Sequence, residues 1–547
     1  MTGGITTADL LRLRSEDDHV AVLFEGESLS WRLLIAGAAS RANFLLAQRR
    51  SGPFHVAVLL DNGPEYLSWI VAAAFAGAAV VGVNPTRRGS ELCNDISHTD
   101  CQVLITDSNH VGLLNGMDLG ISQDRLLLVD QPDYQGLLDS HQGDMPEVPV
   151  RSDDRFLLLF TSGSTGAPKA VVCTQGRFAG VAERTPAMFG IDRESITYQS
   201  MPFFHGNSLM ANWAAVLSTG ATMALRDRFS ASGFLADVRR YRASYFNYVG
   251  RAVAYILATP EQPDDRNNPL RLGFGTEASA RDMARFAERF GCSLLESYGS
   301  SEGAIAIEKV QDAPLSSLGK PRPGQDVAVV DPVSGIECSP AIFDEHGGLL
   351  NGDQAIGELV GRNVSSTFEG YYNNVEADRQ RLRGGSYWSG DLAYRDADGW
   401  FYFAGRGDDW LRVDSENFAA APIERIIYGF EGVVMVAVFP VPDPRTGDQV
   451  MAAIEMEPDV PFDPQAFESF LRRQDDLGTK WAPKFVRILP SMPLTASNKV
   501  RKAPLRAERW ETADPVYWRA DPAQSYQVLV DQDVENLRKA FEEHGRR

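Results

Sequence analysis

A short run of small and hydroxylated residues is the strongest chemical signal in the sequence. Residues 161–169 read TSGSTGAPK and directly follow the apolar stretch RFLLLF at residues 155–160. A loop of this composition leaves backbone N–H groups and hydroxyls free to surround a chain of phosphates, and Lys169 supplies a counter-charge. It is not a Walker A loop, because Pro168 and Ala170 stand where that motif needs glycine and serine or threonine. The run therefore predicts a phosphate-binding loop after a buried strand.

A second pattern, GSSEG at residues 299–303, carries a carboxylate. It formally matches the G-x-S-x-G elbow that presents the nucleophile of α/β-hydrolases, but that elbow must open a helix. Here the next residues, 304–310, alternate like a strand, and His346 and His544 have no triad context. We expect Glu302 to serve instead as an oxygen ligand of magnesium beside a polyphosphate.

The stretch GFGTEA at residues 273–278 matches the glycine fingerprint of dinucleotide-binding folds, and Glu296 follows at about the distance of the ribose-binding acid. The match lies in the middle of the chain, however, and the strand that should open a βαβ unit is not evident. A dehydrogenase is the alternative that this pattern leaves, and it would require a nicotinamide site.

A fourth pattern, SYWSGDL at residues 386–392, places Asp391 directly after a tight turn. A carboxylate in this position could hold the two vicinal hydroxyls of a ribose, or it could cap the turn itself. Taken alone, the residues favour the cap.

The elements that must position these residues alternate along the chain up to about residue 405. Buried strands are predicted at residues 55–60, 78–83, 102–107, 155–160, 221–226 and 270–275, and helices at 234–243 and 280–291. This alternation is typical of an α/β fold with mostly parallel sheets. The apolar stretch at 69–83 is too short and too rich in alanine and glycine to span a bilayer, and it predicts a packed helix that runs into a buried strand.

A second, smaller domain is indicated after Gly405. Strands at 433–441 and 450–457 and a helix at 464–474 are typical of a small α+β domain joined by a hinge-like segment. The tail from about residue 510 carries no functional signal.

Composition narrows the class of protein. At 547 residues the chain exceeds the size of one hydrophobic core, so more than one domain is expected. A net charge of −20 argues against nucleic acid as a partner. The five cysteines are scattered without a C-x-x-C pair, which indicates neither a disulfide framework nor a zinc site. We expect a soluble, cytoplasmic protein without a signal peptide or transmembrane segment.

Read in order, these patterns resemble one family. Together with GRGDDW at residues 405–410 and LTASNK at 494–499, they resemble the adenylate-forming superfamily of acyl-CoA synthetases, luciferases and peptide-synthetase adenylation domains. Residues 247–260 and 411–424 are similar to the fatty-acid transport protein and very-long-chain acyl-CoA synthetase branch, particularly its actinobacterial members. That branch includes ligases for long-chain acids and for steroid or bile acids.

The resemblance implies a role for each matching residue. The ATP phosphates would be bound by Thr161, Ser162, Gly163, Ser164, Thr165, Gly166 and Lys169. The adenine pocket and the nucleotide-binding turn would be formed by Gly275, Thr276, Glu277, Tyr298, Gly299, Ser300 and Ser301. Ribose would be held by Asp391 and Arg406, and magnesium by Glu302. The catalytic positions would be His205 (a gate between nucleotide and acyl pocket), Arg412, Asn417 and Lys499, with Asp408 at the hinge.

Without the motif, His205 would read as a buried core histidine. Three residues depart from the family pattern. Ser301 and Ser389 replace threonines and keep the hydroxyl, whereas Ser415 replaces a glycine on the hinge loop. Ser415 raises the alternative of an enzyme that forms the acyl-adenylate but is impaired in the coenzyme A step.

The resemblance implies an ATP-dependent acyl-CoA ligase for a long-chain or bulky hydrophobic acid, including the steroid side-chain type, that works through an acyl-adenylate. Its co-substrates and cofactor would be ATP, coenzyme A and Mg²⁺. The fold would be α/β, with a large multi-subdomain N-terminal domain (1–405), a hinge (406–408) and a small mobile α+β lid (409–547). A degenerate nucleotide-binding or lipid-carrying protein is the alternative outside the enzymes, and Lys499 argues against it. A homodimer and peripheral membrane contact stay open.

Overall fold

Two large sheets form most of the N-terminal part of the chain. The computed structural model describes residues 4–161, 169–249, 252–276, 278, 280–309, 313–314, 317–344, 349–364, 368–406, 410–413, 416–444, 448–474, 477, 480–495, 499–521 and 524–543. Of residues 280, 406, 410, 412 and 416–419 only the backbone is described. The strands of the two sheets are β1 (Val20–Phe24), β2 (Glu27–Ser30), β3 (His55–Val58), β4 (Ala79–Gly82), β5 (Cys101–Thr106), β6 (Leu126–Leu128), β7 (Arg155–Phe160), β8 (Ala170–Thr174), β9 (Ile196–Gln199), β10 (Thr222–Leu225), β11 (Tyr245–Asn247), β12 (Leu272–Gly275), β13 (Ser293–Gly299), β14 (Ala306–Glu308) and β15 (Lys320–Pro321).

Most pairs in these sheets are parallel, as the alternating pattern predicted. The six-stranded sheet has the order β6-β5-β3-β4-β7-β8 and is antiparallel only at β7–β8. The nine-stranded sheet has the order β15-β14-β13-β12-β11-β9-β10-β1-β2 and is antiparallel only towards its two ends. All six predicted strands are present, each within about two residues of its expected bounds.

Helices cover these sheets and form several hydrophobic cores with them, of which one is large. They are α1 (Thr7–Arg12), α2 (Trp31–Gln48), α3 (Pro64–Ala76), α4 (Gly89–His98), α5 (Tyr134–Asp139), α6 (Gln175–Phe189), α7 (Gly206–Ser208), α8 (Ala214–Thr219), α9 (Ala231–Tyr241), α10 (Ala252–Leu257) and α11 (Ala280–Phe290), with 3₁₀ turns at Val111–Leu114 and Gln123–Arg125 and a π turn at Leu209–Trp213. Side chains of Ser30, Thr174 and Ser230 cap the N-termini of α2, α6 and α9.

The apolar stretch at 69–83 is the predicted packed helix followed by a buried strand. It comprises the end of α3, where residues 66–76 are all buried, and the whole of β4. No helix among the described residues is both long and apolar enough to cross a bilayer.

A third sheet follows that the alternating pattern did not predict. It consists of β16 (Asp326–Val330), β17 (Gly357–Arg362), β18 (Leu382–Arg383), β19 (Ser386–Arg395) and β20 (Phe401–Arg406), with α12 (Gly352–Ala355) and α13 (Val375–Arg381). All its described pairs are antiparallel, so the region before residue 406 is not uniformly a parallel α/β structure.

The C-terminal part is a small α+β domain. Its elements are β21 (Trp410–Val413), β22 (Glu416–Ala419), α14 (Ala420–Ile427), β23 (Val433–Pro442), β24 (Asp448–Met456), α15 (Pro464–Arg472), β25 (Phe485–Leu489), α16 (Lys502–Glu508), β26 (Val516–Trp518), β27 (Gln527–Val528) and α17 (Asp531–Glu543). Strands β23 to β27 form one sheet in chain order. Alternate residues of β23 enter two cores on opposite faces of this sheet, for example Val436 and Val438 on one face and Ala437 and Phe439 on the other.

The tail beyond residue 510 is an integral layer of this domain. Strands β26 and β27 extend the sheet, and Leu537 and Phe541 of α17 pack into the core beside Trp510. Arg487 of β25 donates to Asp514 Oδ2 (2.8 Å from Nε) and to Glu508 Oε2 (2.6 Å from Nη2). The tail therefore covers one face of the sheet that α14 and α15 leave open.

Candidate active site

The predicted phosphate loop connects two antiparallel strands. Phe160 of β7 pairs with Ala170 of β8, and Thr161 N donates to Lys169 O over 3.1 Å. The loop thus joins the two strands of a hairpin, whereas a Walker A loop would open a helix. The predicted residues Ser162, Gly163, Ser164, Thr165 and Gly166 lie outside the described residues.

Glu302 is held close to this hairpin through Tyr371. The segment 370–372 runs antiparallel beside β8, with Val172 N donating to Gly370 O (3.1 Å) and Val171 bridging to Tyr371. The Tyr371 hydroxyl donates to Glu302 Oε1 over 2.7 Å, and Glu302 is only 7% exposed. Burial and the charge of Glu302 raise the pKa of Tyr371 far above its ordinary value, so its hydroxyl remains a donor.

Glu302 lies on a tight turn between two antiparallel strands. Gly303 N donates to Ser300 O (3.0 Å), and Gly303 has φ +67°, a conformation that favours glycine. Arg177 of α6 donates to Ser301 O over 2.5 Å. Because β14 and not a helix follows, the turn is not a nucleophile elbow.

The side chain of Asp391 is oriented by a residue near the end of β13, the strand that leads into the Glu302 turn. The Tyr298 hydroxyl donates to Asp391 Oδ2 over 2.6 Å. Burial, together with the charge of Asp391, raises the pKa of Tyr298 well above its ordinary value. Gly390 has φ +75° at an irregularity in β19, and Asp391 pairs in register with Arg406 of β20. The backbone thus sets the two predicted ribose ligands side by side.

The glycine-rich stretch at 273–278 is part of a βαβ unit after all. Strand β12, helix α11 and strand β13 are consecutive, and β12 pairs in parallel with β13. The strand predicted at 270–275 is thus the opening strand that was not evident from the sequence. Gly275 ends β12, and Thr276 follows it, at the edge where Tyr298 and Gly299 end β13, whereas Glu277 lies outside the described residues. Glu296 accepts from Ala278 N (2.6 Å) and from the Tyr248 hydroxyl (3.2 Å).

His205 immediately precedes α7 and lies next to the Glu302 turn. Its Nδ1 accepts from Asn207 N over 3.3 Å, and the side chain is half-buried, unlike the buried core histidine that the residue alone would suggest. A Cβ placed on Gly206 would lie 3.3 Å from Ser301 Oγ. The chain at His205 is therefore in close contact with the turn that carries Glu302.

The remaining predicted residues belong to the C-terminal domain. Arg412 and Asn417 are directly opposite each other in the β21–β22 hairpin. Lys499 closes a turn in which Lys499 N donates to Thr495 Oγ1 (3.0 Å) and Thr495 N donates to Lys499 O (2.7 Å). Asp408 and Ser415 lie outside the described residues.

This domain is docked on α10 and α11 by Arg281, by Arg285, whose Nη1 lies 3.9 Å from Glu457 Oε1, and by a few neighbours. Arg281 of α11 donates to Tyr428 O (2.7 Å) and Val433 O (2.9 Å), next to the C-terminus of α14. The Tyr255 hydroxyl lies 3.3 Å from Met435 Sδ. A cation beside the last carbonyls of a helix is stabilising, so Arg281 favours this arrangement of the two domains.

Two residues that support the site were not predicted. Tyr371, which holds Glu302, and Arg177, which holds the Ser301 carbonyl, are 69 and 124 residues from their partners. Neither lies in a motif, and no local pattern in the sequence would have identified them.

Comparison with known proteins gives consistent results along the whole chain. Residues 12–372 match the family described as AMP-binding enzyme, and residues 422–499 match the AMP-binding enzyme C-terminal domain. The chain is 50% identical over 544 residues to a steroid-22-oyl-CoA synthetase of Rhodococcus jostii, covering 99% of this chain and 98% of that one. It is 43% identical over 516 residues to the medium/long-chain-fatty-acid–CoA ligase FadD17 of Mycobacterium tuberculosis, covering 94% and 98%.

Solved structures share the fold at low sequence identity. The anthranilate CoA ligase AuaEII in complex with anthranoyl-AMP superposes with a TM-score of 0.80 at 20% identity, over 93% of this chain and 98% of that one. ATP-bound MatB from Rhodopseudomonas palustris superposes with a TM-score of 0.78 at 22% identity, over 92% and 99%.

Proposed function

Because the chain belongs to the family of AMP-binding enzymes and is an ATP-dependent acyl-CoA ligase, we propose that the acid it activates is bulky and hydrophobic, of the type carried by a steroid side chain. The observation that carries this proposal is the 50% identity to a steroid-22-oyl-CoA synthetase over nearly the full length of both chains. The fatty-acid ligase FadD17 is more distant at 43% identity. A long-chain fatty acid is therefore the second candidate substrate.

We propose that ATP binds between the β7–β8 hairpin and the turn that carries Glu302. The hairpin loop and Lys169 would bind the phosphates, Gly275, Thr276 and Tyr298 would border the base, and Asp391 and Arg406 would hold the ribose. The hydrogen bond from Tyr298 to Asp391 supports this arrangement, because it fixes the carboxylate that the ribose hydroxyls need (2.6 Å).

We propose Glu302 as the protein ligand of Mg²⁺. Tyr371 occupies its Oε1 only, which leaves Oε2 as a hard oxygen donor of the kind that magnesium prefers. No group of three or more potential metal ligands occurs among the described residues. Magnesium at nucleotide sites is commonly held mainly by substrate phosphates and water, with one or two carboxylates from the protein. Bound there, Mg²⁺ would neutralise phosphate charge.

In the first half-reaction the carboxylate of the acid attacks the α-phosphate of ATP and pyrophosphate leaves. Negative charge grows on the α-phosphoryl group, so a positioned cation stabilises the transition state more than the ground state. We propose that Lys499 is that cation. Its place in the C-terminal domain, with its carbonyl bonded to Thr495 N over 2.7 Å, supports this role.

In the second half-reaction the thiol of coenzyme A attacks the carbonyl of the acyl-adenylate and AMP leaves. We propose that Arg412 and Asn417, opposed in the β21–β22 hairpin, serve this step after the C-terminal domain has turned about Asp408. The relatives are named as CoA synthetases and ligases, which does not favour an enzyme that stops at the adenylate because of Ser415.

The five free thiols support a cytoplasmic enzyme.

A panel of acids tests the substrate proposal. Pyrophosphate release would be measured with acetate, fatty acids of increasing length and steroid side-chain acids, each with and without coenzyme A. Since each buried methylene contributes about 0.8 kcal/mol, we expect kcat/KM for a steroid acid to exceed that for acetate by several orders of magnitude. A preference for acetate or for an amino acid would overturn the proposal, and a preference for fatty acids would favour the second candidate.

A further inference from the structure

A chain of buried side-chain amides runs from the core of the nine-stranded sheet to the residue two positions after His205. Thr197 Oγ1 of β9 donates to Asn212 Oδ1 over 2.8 Å, and Asn212 Nδ2 donates to Asn247 Oδ1 of β11 over 2.8 Å. Asn247 Nδ2 then donates to Asn207 Oδ1 over 2.7 Å. Thr197, Asn212 and Asn247 are at most 3% exposed, whereas Asn207 is half-buried.

The π turn at Leu209–Trp213 carries Asn212 into this position. Single π turns occur frequently at functional sites, and buried polar networks are costly unless every member is satisfied. A hydrophobic core needs no such network, so a role in orienting a group at the surface of the site is the better explanation.

The direction of each hydrogen bond in this network is fixed at the buried end of the network. Asn212 also donates to the carbonyl of Tyr198 over 3.1 Å, and a carbonyl can only accept. The nitrogen of Asn212 must therefore face Tyr198 and Asn247, which requires the oxygen of Asn247 to face Asn212. It follows that Asn247 presents its nitrogen to Asn207, and that Asn207 must turn its oxygen inward.

Asn207 is thereby left with an oriented donor group. Its Nδ2 has no acceptor in the part of the chain that the structure describes, while its Oδ1 is occupied by Asn247. The residue follows His205 and Gly206, and Gly206 lies against Ser301 on the turn that carries Glu302. An amide fixed in this way selects a ligand group that accepts hydrogen bonds.

We propose that Asn207 binds the acid substrate by donating a hydrogen bond from Nδ2 to its carboxylate, and so orients the carboxylate for attack on the α-phosphate. Asn247 and Asn212 are positioning residues that act through Asn207. The inference rests on the proposed function, because only the carboxylate of the acid must lie beside the nucleotide-binding turn.

The test replaces the donor and leaves the shape intact. Asn207→Asp keeps an oxygen for Asn247 Nδ2 but exchanges the amide nitrogen for a second acceptor, and Asn207→Ala removes both. We expect Asn207→Ala to slow acyl-adenylate formation about 10- to 100-fold and to raise the KM for the acid, with the KM for ATP unchanged. Asn207→Asp should lose more, because its charge repels the carboxylate.

Asn536→Asp on α17 is the matched control, since it makes the same chemical change on the tail and should behave as wild type. Each variant would be assayed by pyrophosphate exchange with a steroid acid and with a fatty acid that has no other oxygen. Equal losses on both acids support contact with the carboxylate, whereas a loss confined to the steroid acid means that Asn207 binds a ring oxygen and overturns the inference. Unchanged kinetics of Asn207→Ala in an active enzyme also overturn it. A wild type inactive on every acid would instead refute the proposed function.

Discussion

The N-terminal candidate site and the C-terminal domain hold their polar residues in different ways. In the N-terminal part, Glu302 and Asp391 are each anchored by a tyrosine that comes from elsewhere in the fold, over 2.7 and 2.6 Å. In the C-terminal domain, Lys499 lies on a turn and Arg412 and Asn417 on a two-stranded hairpin, and the domain has cores of its own. The polar residues of the N-terminal site are thus fixed by long-range contacts, whereas those of the C-terminal domain lie on local turns and hairpins.

This difference suggests a division of labour. Ligands of the nucleotide must be in place throughout both half-reactions, so a fixed set of contacts serves them best. Residues needed for only one half-reaction can be carried on a domain that docks in more than one way. The docking through Arg281 involves two hydrogen bonds to backbone carbonyls, which other arrangements of the domain could exchange for water.

Loss of Lys499 should have the largest effect and the most selective one. We expect Lys499→Ala to slow adenylation by roughly 10²–10³-fold, the cost of losing one charge partner of a transition state, while ATP binding changes little. Thioester formation from pre-made acyl-adenylate should be affected far less. Rapid-quench assays of each half-reaction measure both rates, and an equal loss in the two would count against a C-terminal domain that docks in two ways.

Removal of the Tyr371 hydroxyl tests whether long-range contacts hold the residues of the N-terminal site in place. Tyr371→Phe keeps the ring but leaves Glu302 Oε1 without its donor, so we expect roughly a tenfold loss in kcat/KM for ATP and a higher magnesium requirement. Tyr402→Phe is a matched control, since the Tyr402 hydroxyl donates to Asp396 over 2.9 Å away from Glu302. If both variants behave alike, Tyr371 does not act through Glu302.

His110, in the N-terminal part, should make the stability of the protein depend on pH. The carboxylate of Asp61, 3.6 Å from Nε2, and that of Asp107, hydrogen-bonded to Nδ1 over 2.7 Å, raise the pKa of His110 to about 8, against an ordinary value of 6.5. Because the folded-state pKa is the higher one, this contribution is fully present below pH 6.5 and is lost as the pH rises through 8. We expect a loss of about 1 kcal/mol in the free energy of unfolding over that range, allowing for the exposure of Asp61.

His110→Gln should remove this dependence, as denaturant titrations at pH 6 and pH 8.5 would reveal. A wild type whose stability does not fall across that interval would show that the imidazole is not held by the two carboxylates.

Ser415→Gly should have the smallest effect. If residue 415 needed a left-handed backbone, serine would cost about 1–2 kcal/mol in the thioester-forming step only. The relatives are CoA synthetases, so we expect the rate of that step to change less than about threefold on reversion. A large gain in rate confined to the coenzyme A half-reaction would instead show that Ser415 impairs thioester formation.

The sequence predicted those features that depend on neighbouring residues, but not those that depend on contacts between residues far apart in the chain. Strand β7 and the turn after β13 were predictable, because apolar runs and glycine–serine turns are local patterns. The pairing of Tyr371 with Glu302 was not, since nothing local records a contact between residues 69 positions apart. The antiparallel third sheet and the tail strands β26 and β27 were missed for a related reason. Their strands are stabilised mainly by partners in the sheet and across the core.

The central claim, that the enzyme activates a hydrophobic acid as its adenylate before coenzyme A reacts, can be tested in a single turnover. Enzyme in excess would be mixed with a steroid side-chain acid and ATP, without coenzyme A, and quenched over time. We expect one pyrophosphate and one enzyme-bound acyl-adenylate per acid consumed, followed by conversion to thioester and AMP when coenzyme A is added. Release of ADP and phosphate, or no pyrophosphate until coenzyme A is present, would contradict it.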